Sequence, residues 1–301
     1  MEQSLYEFFA AALPGVRVLP AEPMARHTSF RIGGPAEVMV CPAAEDELLA
    51  CLALCRAEGI RPRILGGGTN ILAPDPGIPG VVVLTRGLDS AVRISDLEIE
   101  AGCGLSLAKL AVFAQRLGLT GLEFAHGIPG TVGGGMYMNA GAYGGEMVQV
   151  AVSARFLTPD GRIETVEGEA LGLSYRHSVF MEREGVILSA RFRLQPGDPE
   201  AILTRMHELS ERRRNSQPLD LPSAGSTFKR PVGGYAAALI QEAGLKGFRV
   251  GEAAVSEKHA GFVVNLGGAT CSDVLTLCEN IRKSIEEKFD VTLEREVKIL
   301  E

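Results

Sequence analysis

The chain has 301 residues, 46% of them hydrophobic, which is enough to fill two or three packed cores and excludes a disordered protein. A formal charge of −7 excludes broad binding to nucleic-acid backbones, which draws on a surplus of Lys and Arg, so an anionic ligand must meet a local basic pocket. The first residues carry Glu2 and Glu7 with no basic start, and no later segment is apolar over the length a bilayer crossing requires; no membrane partner and a cytoplasmic location are expected.

After an amphipathic start, residues 28–40 read as an extended segment broken at Gly33-Gly34-Pro35. Residues 45–58 then show the apolar spacing of a helix, which Gly59 closes in the left-handed position. Arg63-Ile64-Leu65 runs as a strand into Gly66-Gly67-Gly68-Thr69-Asn70, and Val81-Val82-Val83-Leu84 is the next strand, with no helix directly after the glycines. Residues 92–101 alternate across a hairpin, and residues 105–117 return to helical spacing and stop at Gly118.

Pro159-Asp160-Gly161 is a hairpin turn between two short strands, and residues 186–194 form another strand. Pro196-Gly197-Asp198-Pro199 breaks the pattern, and a charged amphipathic helix over residues 200–215 opens a second cycle of loop, helix, strand and helix. The expected division is therefore a region 1–199, itself in two lobes split near residue 85, and a domain 200–301. Six cysteines lack C-x-x-C spacing; Cys51/Cys55 and Cys271/Cys278 sit at helix-face intervals, which predicts buried thiols and no metal site.

A run of glycines lets backbone N–H groups approach a pyrophosphate with no side chain in the way. Gly66-Gly67-Gly68-Thr69-Asn70 can fill that role, but on this segment alone a tight turn is the better reading, because the G-x-G-x-x-G spacing and a following helix are missing. A second loop, Gly127-Ile128-Pro129-Gly130-Thr131-Val132-Gly133-Gly134-Gly135 followed by Asn139-Ala140-Gly141-Ala142-Tyr143-Gly144-Gly145, is too glycine-dense to be ordered cheaply. Two such loops either permit close packing of crossing segments or hold a large flat ligand.

These segments, with Ile71 and Gly121-Leu122-Glu123-Phe124, resemble the FAD loops of the UDP-N-acetylenolpyruvoylglucosamine reductase family. The likeness continues through Ser174-Tyr175-Arg176-His177-Ser178, Gln217-Pro218 to Pro231, Lys246-Gly247 to Asn265 and Glu296-Val297-Lys298, in family order over nearly the whole chain. It implies an α+β protein: a vanillyl-alcohol-oxidase/PCMH-type FAD-binding fold of two α+β lobes, plus a C-terminal α+β substrate-binding domain whose last strand returns to the active-site cleft. It also implies the shorter subtype, since the stretch from Tyr175-Arg176 to Ser226 leaves no room for an extra substrate loop. His27, His126, Arg295 and Lys298 depart from the residues usual at those places.

The implied reaction is NADPH-dependent, FAD-mediated reduction of UDP-N-acetylglucosamine enolpyruvate to UDP-N-acetylmuramate in peptidoglycan synthesis, with hydride from flavin N5 and one cleft used in turn by both substrates. Such a reduction needs a cation for the charge that develops on the carboxylate, and an acid for the carbon. By the resemblance, Arg176, Ser226 and Glu296 are catalytic: Arg176 grips the carboxylate and Ser226 gives the proton. The positive field of Lys229 and Arg230 is expected to make the serine a better acid. FAD, held without a covalent bond, is assigned Gly66, Gly67, Gly68, Thr69, Asn70, Ile71, Gly127, Ile128, Pro129, Gly130, Thr131, Gly133, Gly134, Asn139, Gly141, Ala142 and Tyr143; the substrate is assigned Tyr175, Lys229 and Lys298. An FAD-dependent alcohol oxidase or dehydrogenase of the same fold would explain the glycine loops but not the Arg176, Ser226 and Glu296 set. A nucleotide-sugar-binding protein that has lost catalysis would bind no FAD.

Overall fold

A computed structural model describes residues 4–300, so the acidic start read at Glu2 lies outside the described residues. Helix α1 (Leu5–Ala12) begins on a reciprocal cap in which Ser4 and Glu7 each accept the other's backbone N–H. The chain forms two compact units, each assembled from three segments. The first takes residues up to 20, 38–67 and 80–212; the second takes 21–37, 68–79 and 213 onward.

The first unit is built on antiparallel β-structure with helices against it. A five-stranded antiparallel sheet runs in the order Ile163–Glu167, Ala151–Leu157, Val186–Arg193, Glu98–Gly102, Ala91–Arg93. Arg63–Leu65 pairs in parallel with Ile78–Leu84, in the register Ile64 to Val83. Helices α2 (Glu45–Ala57) and α3 (Leu107–Arg116) follow the predicted spacing: Leu48, Cys51 and Cys55 of α2 and Leu107, Leu110 and Ala114 of α3 enter one core with Phe156 and Phe192 of the sheet. The expected thiols at Cys51, Cys55, Cys271 and Cys278 are free and buried.

Two features depart from the sequence reading. The glycine-rich stretch contains helix α4 (Val132–Met138), which glycine disfavours by about 1 kcal/mol per residue relative to alanine. Packing selects it: Gly133 donates its N–H to the Cys103 carbonyl at 2.8 Å, and a Cβ on Gly133 would stand 3.0 Å from the Cys103 Cβ. The close-packing role left open for these glycines therefore holds at Gly133. The second departure is α5 (Pro199–Ser216), whose Ile202 and Met206 join the first core, so that the unit runs on to residue 212.

In the second unit a four-stranded antiparallel sheet runs Ser223–Ser226, Phe262–Asn265, Ala253–Val255, Arg249–Val250. Helix α6 (Ala236–Glu242) and helix α7 (Cys271–Phe289) share its core. Val274, Leu277, Cys278, Ile281 and Ile285 of α7 recur every three or four residues and are buried. Phe30, Ile32 and Leu72 complete that core from the two early segments. Lys298–Ile299 closes the unit by pairing in parallel with Ile71–Leu72. Among the described residues no helix is long and apolar enough to cross a membrane.

Candidate active site

In the first unit the two glycine loops, some sixty residues apart in sequence, meet. A Cβ built on Gly67 would lie 2.9 Å from the Gly130 Cα, and one on Gly66 would lie 2.5 Å from Thr131 Oγ1, so neither position tolerates a side chain. Arg86, nineteen residues beyond Gly67, donates to the Gly67 carbonyl at 2.6 Å and to the Gly66 carbonyl at 3.3 Å. No local motif marks that arginine. Thr131 is buried, and its hydroxyl has no hydrogen-bond partner among the described residues. An unsatisfied buried hydroxyl is costly, so this atom is available to a polar group from outside the chain, a water or a ligand oxygen. With two amide-rich turns held side by side, it fits a dinucleotide phosphate such as that of FAD.

The loop before Gly127 is tied to α5 by His126, whose Nδ1 lies 3.1 Å from Ser210 Oγ. Burial and, after it, the charge of nearby His207 hold the His126 imidazole below its ordinary value. After α4 the chain turns in the left-handed region at Asn139, and Gly141–Ala142 pairs with Gly145–Glu146 across a two-residue turn with Tyr143 and Gly144 both at positive φ. Asn139 is wholly buried, and its amide is spent on the protein: Nδ2 donates to Glu146 Oε2 at 2.7 Å and to the Ser174 carbonyl at 2.9 Å, while Oδ1 accepts from the Val148 N–H. The Asn139 side chain therefore fixes the loop, which leaves its backbone as the part that can meet a cofactor.

The carbonyl that Asn139 holds belongs to the turn that presents Tyr175 and Arg176. Ser174 and His177 exchange both backbone hydrogen bonds at 3.1 Å, which leaves Tyr175 and Arg176 at the tip. Arg176 has φ +54, a region that disfavours any residue with a Cβ. Its guanidinium lies 5.1 Å from the Tyr175 ring and Nη2 donates to the Gly141 carbonyl at 3.4 Å, so the arginine and the second glycine loop share one neighbourhood.

In the second unit the remaining candidates converge on the C-terminal strand. The Glu296 N–H donates to the Thr227 carbonyl at 2.8 Å, and Phe228 pairs with Arg295 in an isolated bridge, so the segments that carry Ser226 and Glu296 run side by side. Asn70 grips the same strand twice: Nδ2 donates to the Glu296 carbonyl at 3.2 Å, and the Asn70 carbonyl accepts from the Lys298 N–H at 3.0 Å. Glu296 is 9% exposed, whereas Ser226 faces solvent. The Gly68 carbonyl accepts from Ser29, and a Cβ on Gly68, at φ +65, would collide with the His27 carbonyl at 1.9 Å. His27 itself meets Glu22 at 2.9 Å through Nε2.

The expected field of Lys229 on Ser226 is weaker than the sequence suggests. The Lys229 ammonium is paired with Glu294, an acid the sequence reading left without a role, and Arg230 stacks 5.0 Å from the Tyr235 ring. Lys229 therefore arrives already neutralised, and its contribution to that field is reduced accordingly. Asp75 also escaped the sequence reading: its carboxylate accepts from the Cys271 and Ser272 N–H groups at 2.6 and 3.0 Å, anchoring the first turn of α7.

Residues 217–300 match the model of the UDP-N-acetylenolpyruvoylglucosamine reductase C-terminal domain, and residues 36–167 match that of an FAD binding domain. The UDP-N-acetylenolpyruvoylglucosamine reductase of Caldanaerobacter subterraneus subsp. tengcongensis is 49% identical over 93% of this chain and 92% of its own length. The one from Agathobacter rectalis is 44% identical over 100% and 99%. The crystal structure of the reductase from Thermus caldophilus superposes with a TM-score of 0.80 at 36% identity, covering 95% of this chain and 99% of that one. Relatives of this similarity, aligned end to end, set aside the alcohol-oxidising alternative. The chain belongs to the UDP-N-acetylenolpyruvoylglucosamine reductase family.

Proposed function

We propose that the chain reduces the enolpyruvyl group of UDP-N-acetylglucosamine enolpyruvate to give UDP-N-acetylmuramate for peptidoglycan, with FAD as cofactor and NADPH as reductant. The observation that carries this reading is the meeting of Gly66 and Gly67 with Gly130 and the unpartnered Thr131 hydroxyl, in a chain of this family. When bound, FAD supplies the hydride chemistry that links NADPH to the enolpyruvyl carbon. Residues 1–199 take the cofactor-binding role, including segments 21–37 and 68–79 that fold with the second unit, and residues 200–301 take the substrate-binding role, in the cytoplasm. No membrane or nucleic-acid partner enters this reading.

Gly66, Gly67, Gly130 and Thr131 hold the phosphates, flanked by Gly68, Thr69, Ile71, Gly127, Ile128, Pro129, Gly134, Gly141, Ala142 and Tyr143, while Asn139 and Gly133 set the loop's shape. Arg176 holds the substrate carboxylate in a planar pair as charge gathers there, and Tyr175 covers the guanidinium. Glu296, buried and clamped between Asn70 and Thr227, orients the reacting group or a water beside it. Ser226 carries the proton for the carbon next to the carboxylate, and Lys298, fixed by its pairing with Ile71, supports the substrate's anionic groups.

Ser226→Ala holoenzyme tests the assignment. NADPH should bleach its flavin at the wild-type rate, and recovery on adding the enolpyruvyl sugar anaerobically should slow by about a hundredfold or more, the usual worth of a placed acid. Recovery at the wild-type rate would remove Ser226 from the mechanism.

A further inference from the structure

The second unit holds a cavity of about 420 Å³ whose lining includes none of the residues assigned above to the reaction. Its apolar wall is Phe228, Leu275, Cys278 and Leu293. Burial pushes the Cys278 thiol up to about 12, so the sulfur stays neutral and belongs to that wall. The volume is that of a small-molecule site, for which about 300–1,000 Å³ is usual.

The two carboxylates at its margin are each engaged by a cation. Glu279 is gripped by Arg282 through Nε and Nη2 and is approached by Lys283 at 3.8 Å, while Glu294 is taken by Lys229. Arg295, partly buried in the lining, has no carboxylate within salt-bridge distance among the described residues. Its Nε donates to the Val297 carbonyl at 3.2 Å, and the two terminal nitrogens have no hydrogen-bond partner there. One guanidinium edge beside an apolar wall is thus left unmatched, and it is always charged.

We propose that this cavity is a binding site for a small amphiphilic monoanion, its carboxylate or sulfonate on the Arg295 guanidinium and its apolar body against Phe228, Leu275 and Leu293. A planar monoanion suits a lining in which one guanidinium, that of Arg295, is engaged by no carboxylate among the described residues; the second charge of a phosphate would lie near Glu279 and Glu294 at the same margin. A planar anion takes two parallel hydrogen bonds from guanidinium, and a neutral alcohol of equal length cannot.

The test is a fluorescence titration of the holoenzyme with anilinonaphthalene sulfonate, with octanoate and octanol as competitors. One saturable site is expected, displaced by octanoate and not by octanol, and indifferent to saturating NADPH and UDP-N-acetylmuramate. Arg295→Gln should weaken binding about tenfold or more, the worth of a charged hydrogen bond. Leu275→Trp, which fills the cavity from α7, should do the same; each variant's melting temperature, read beside its flavin spectrum, reports its fold, so either one reads the site if the other fails to fold. Undiminished binding to a flavin-retaining variant, displacement by NADPH or the sugar, or equal competition by octanol would overturn the proposal.

Discussion

Thr131 and Asn70 show how single polar atoms divide the work of this site. Thr131→Val keeps the shape and deletes the buried, unpartnered hydroxyl. FAD affinity should fall about tenfold by equilibrium dialysis, while the apoprotein's melting temperature holds or rises, because no hydrogen bond within the protein is lost. Equal FAD affinity would show that the hydroxyl meets no part of the cofactor. Asn70→Ala removes the donor to the Glu296 carbonyl. Substrate-driven recovery of the flavin absorbance should slow by about ten- to a hundredfold with flavin retained, since small misplacements of a reacting group are costly.

His126 gives a prediction in pH at the same scale. Its folded value lies below the ordinary 6.5 because of burial and His207, so the unfolded chain takes up the proton first. The stability it contributes is whole above pH 6.5 and drains away as the pH falls below that value. The neighbourhood of His126 also holds the Ser210 hydroxyl, which does not titrate in this range. His126→Asn should therefore flatten, in urea titrations, the loss of stability below pH 6.5; a residue of slope should remain, since burial lowers His259 in the same direction. An unchanged slope would remove His126 from the account.

At the scale of elements, what could be foreseen depended on period. Helices α2, α3, α5 and α7 carry apolar residues at three- and four-residue intervals, and all four formed. Helix α4 could not be foreseen, because its warrant is the clearance at Gly133 and Gly135 against Cys103, Leu107 and Met147, which are remote in sequence or on other elements. The motifs single out Ser226, Glu296 and Arg176 as candidates, whereas the Lys229–Glu294 pair and the full use of Asn139's amide depend on partners that only the folded chain supplies. Asp75 is a further case. Asp75→Ala should destabilise α7 by about 1–2 kcal/mol in chemical denaturation, the worth of a lost cap, with the Thr270–Asp273 box still in place.

At the scale of the whole molecule, a chain that reads as two consecutive domains is folded as two units of three segments each. Nothing in residues 21–37 or 68–79 announces that Phe30, Ile32 and Leu72 will be buried beside Ile281 and Val297. A fragment beginning at residue 213 would lack those three side chains. Each is worth about 1.5–3 kcal/mol when buried, which is a large share of a net stability of about 5–15 kcal/mol. Such a fragment should show no cooperative unfolding by circular dichroism and poor amide dispersion by NMR; a sharp transition would show that the late segment is self-sufficient.

The pairing of Lys298 with Ile71 also sets an order of events during translation. Ile71 leaves the ribosome more than two hundred residues before its partner strand exists, and the rest of the core that buries Phe30, Ile32 and Leu72 is drawn from residue 224 onward. At about 5–20 residues per second that interval lasts roughly ten seconds or more, long enough for chaperones to compete for the nascent chain.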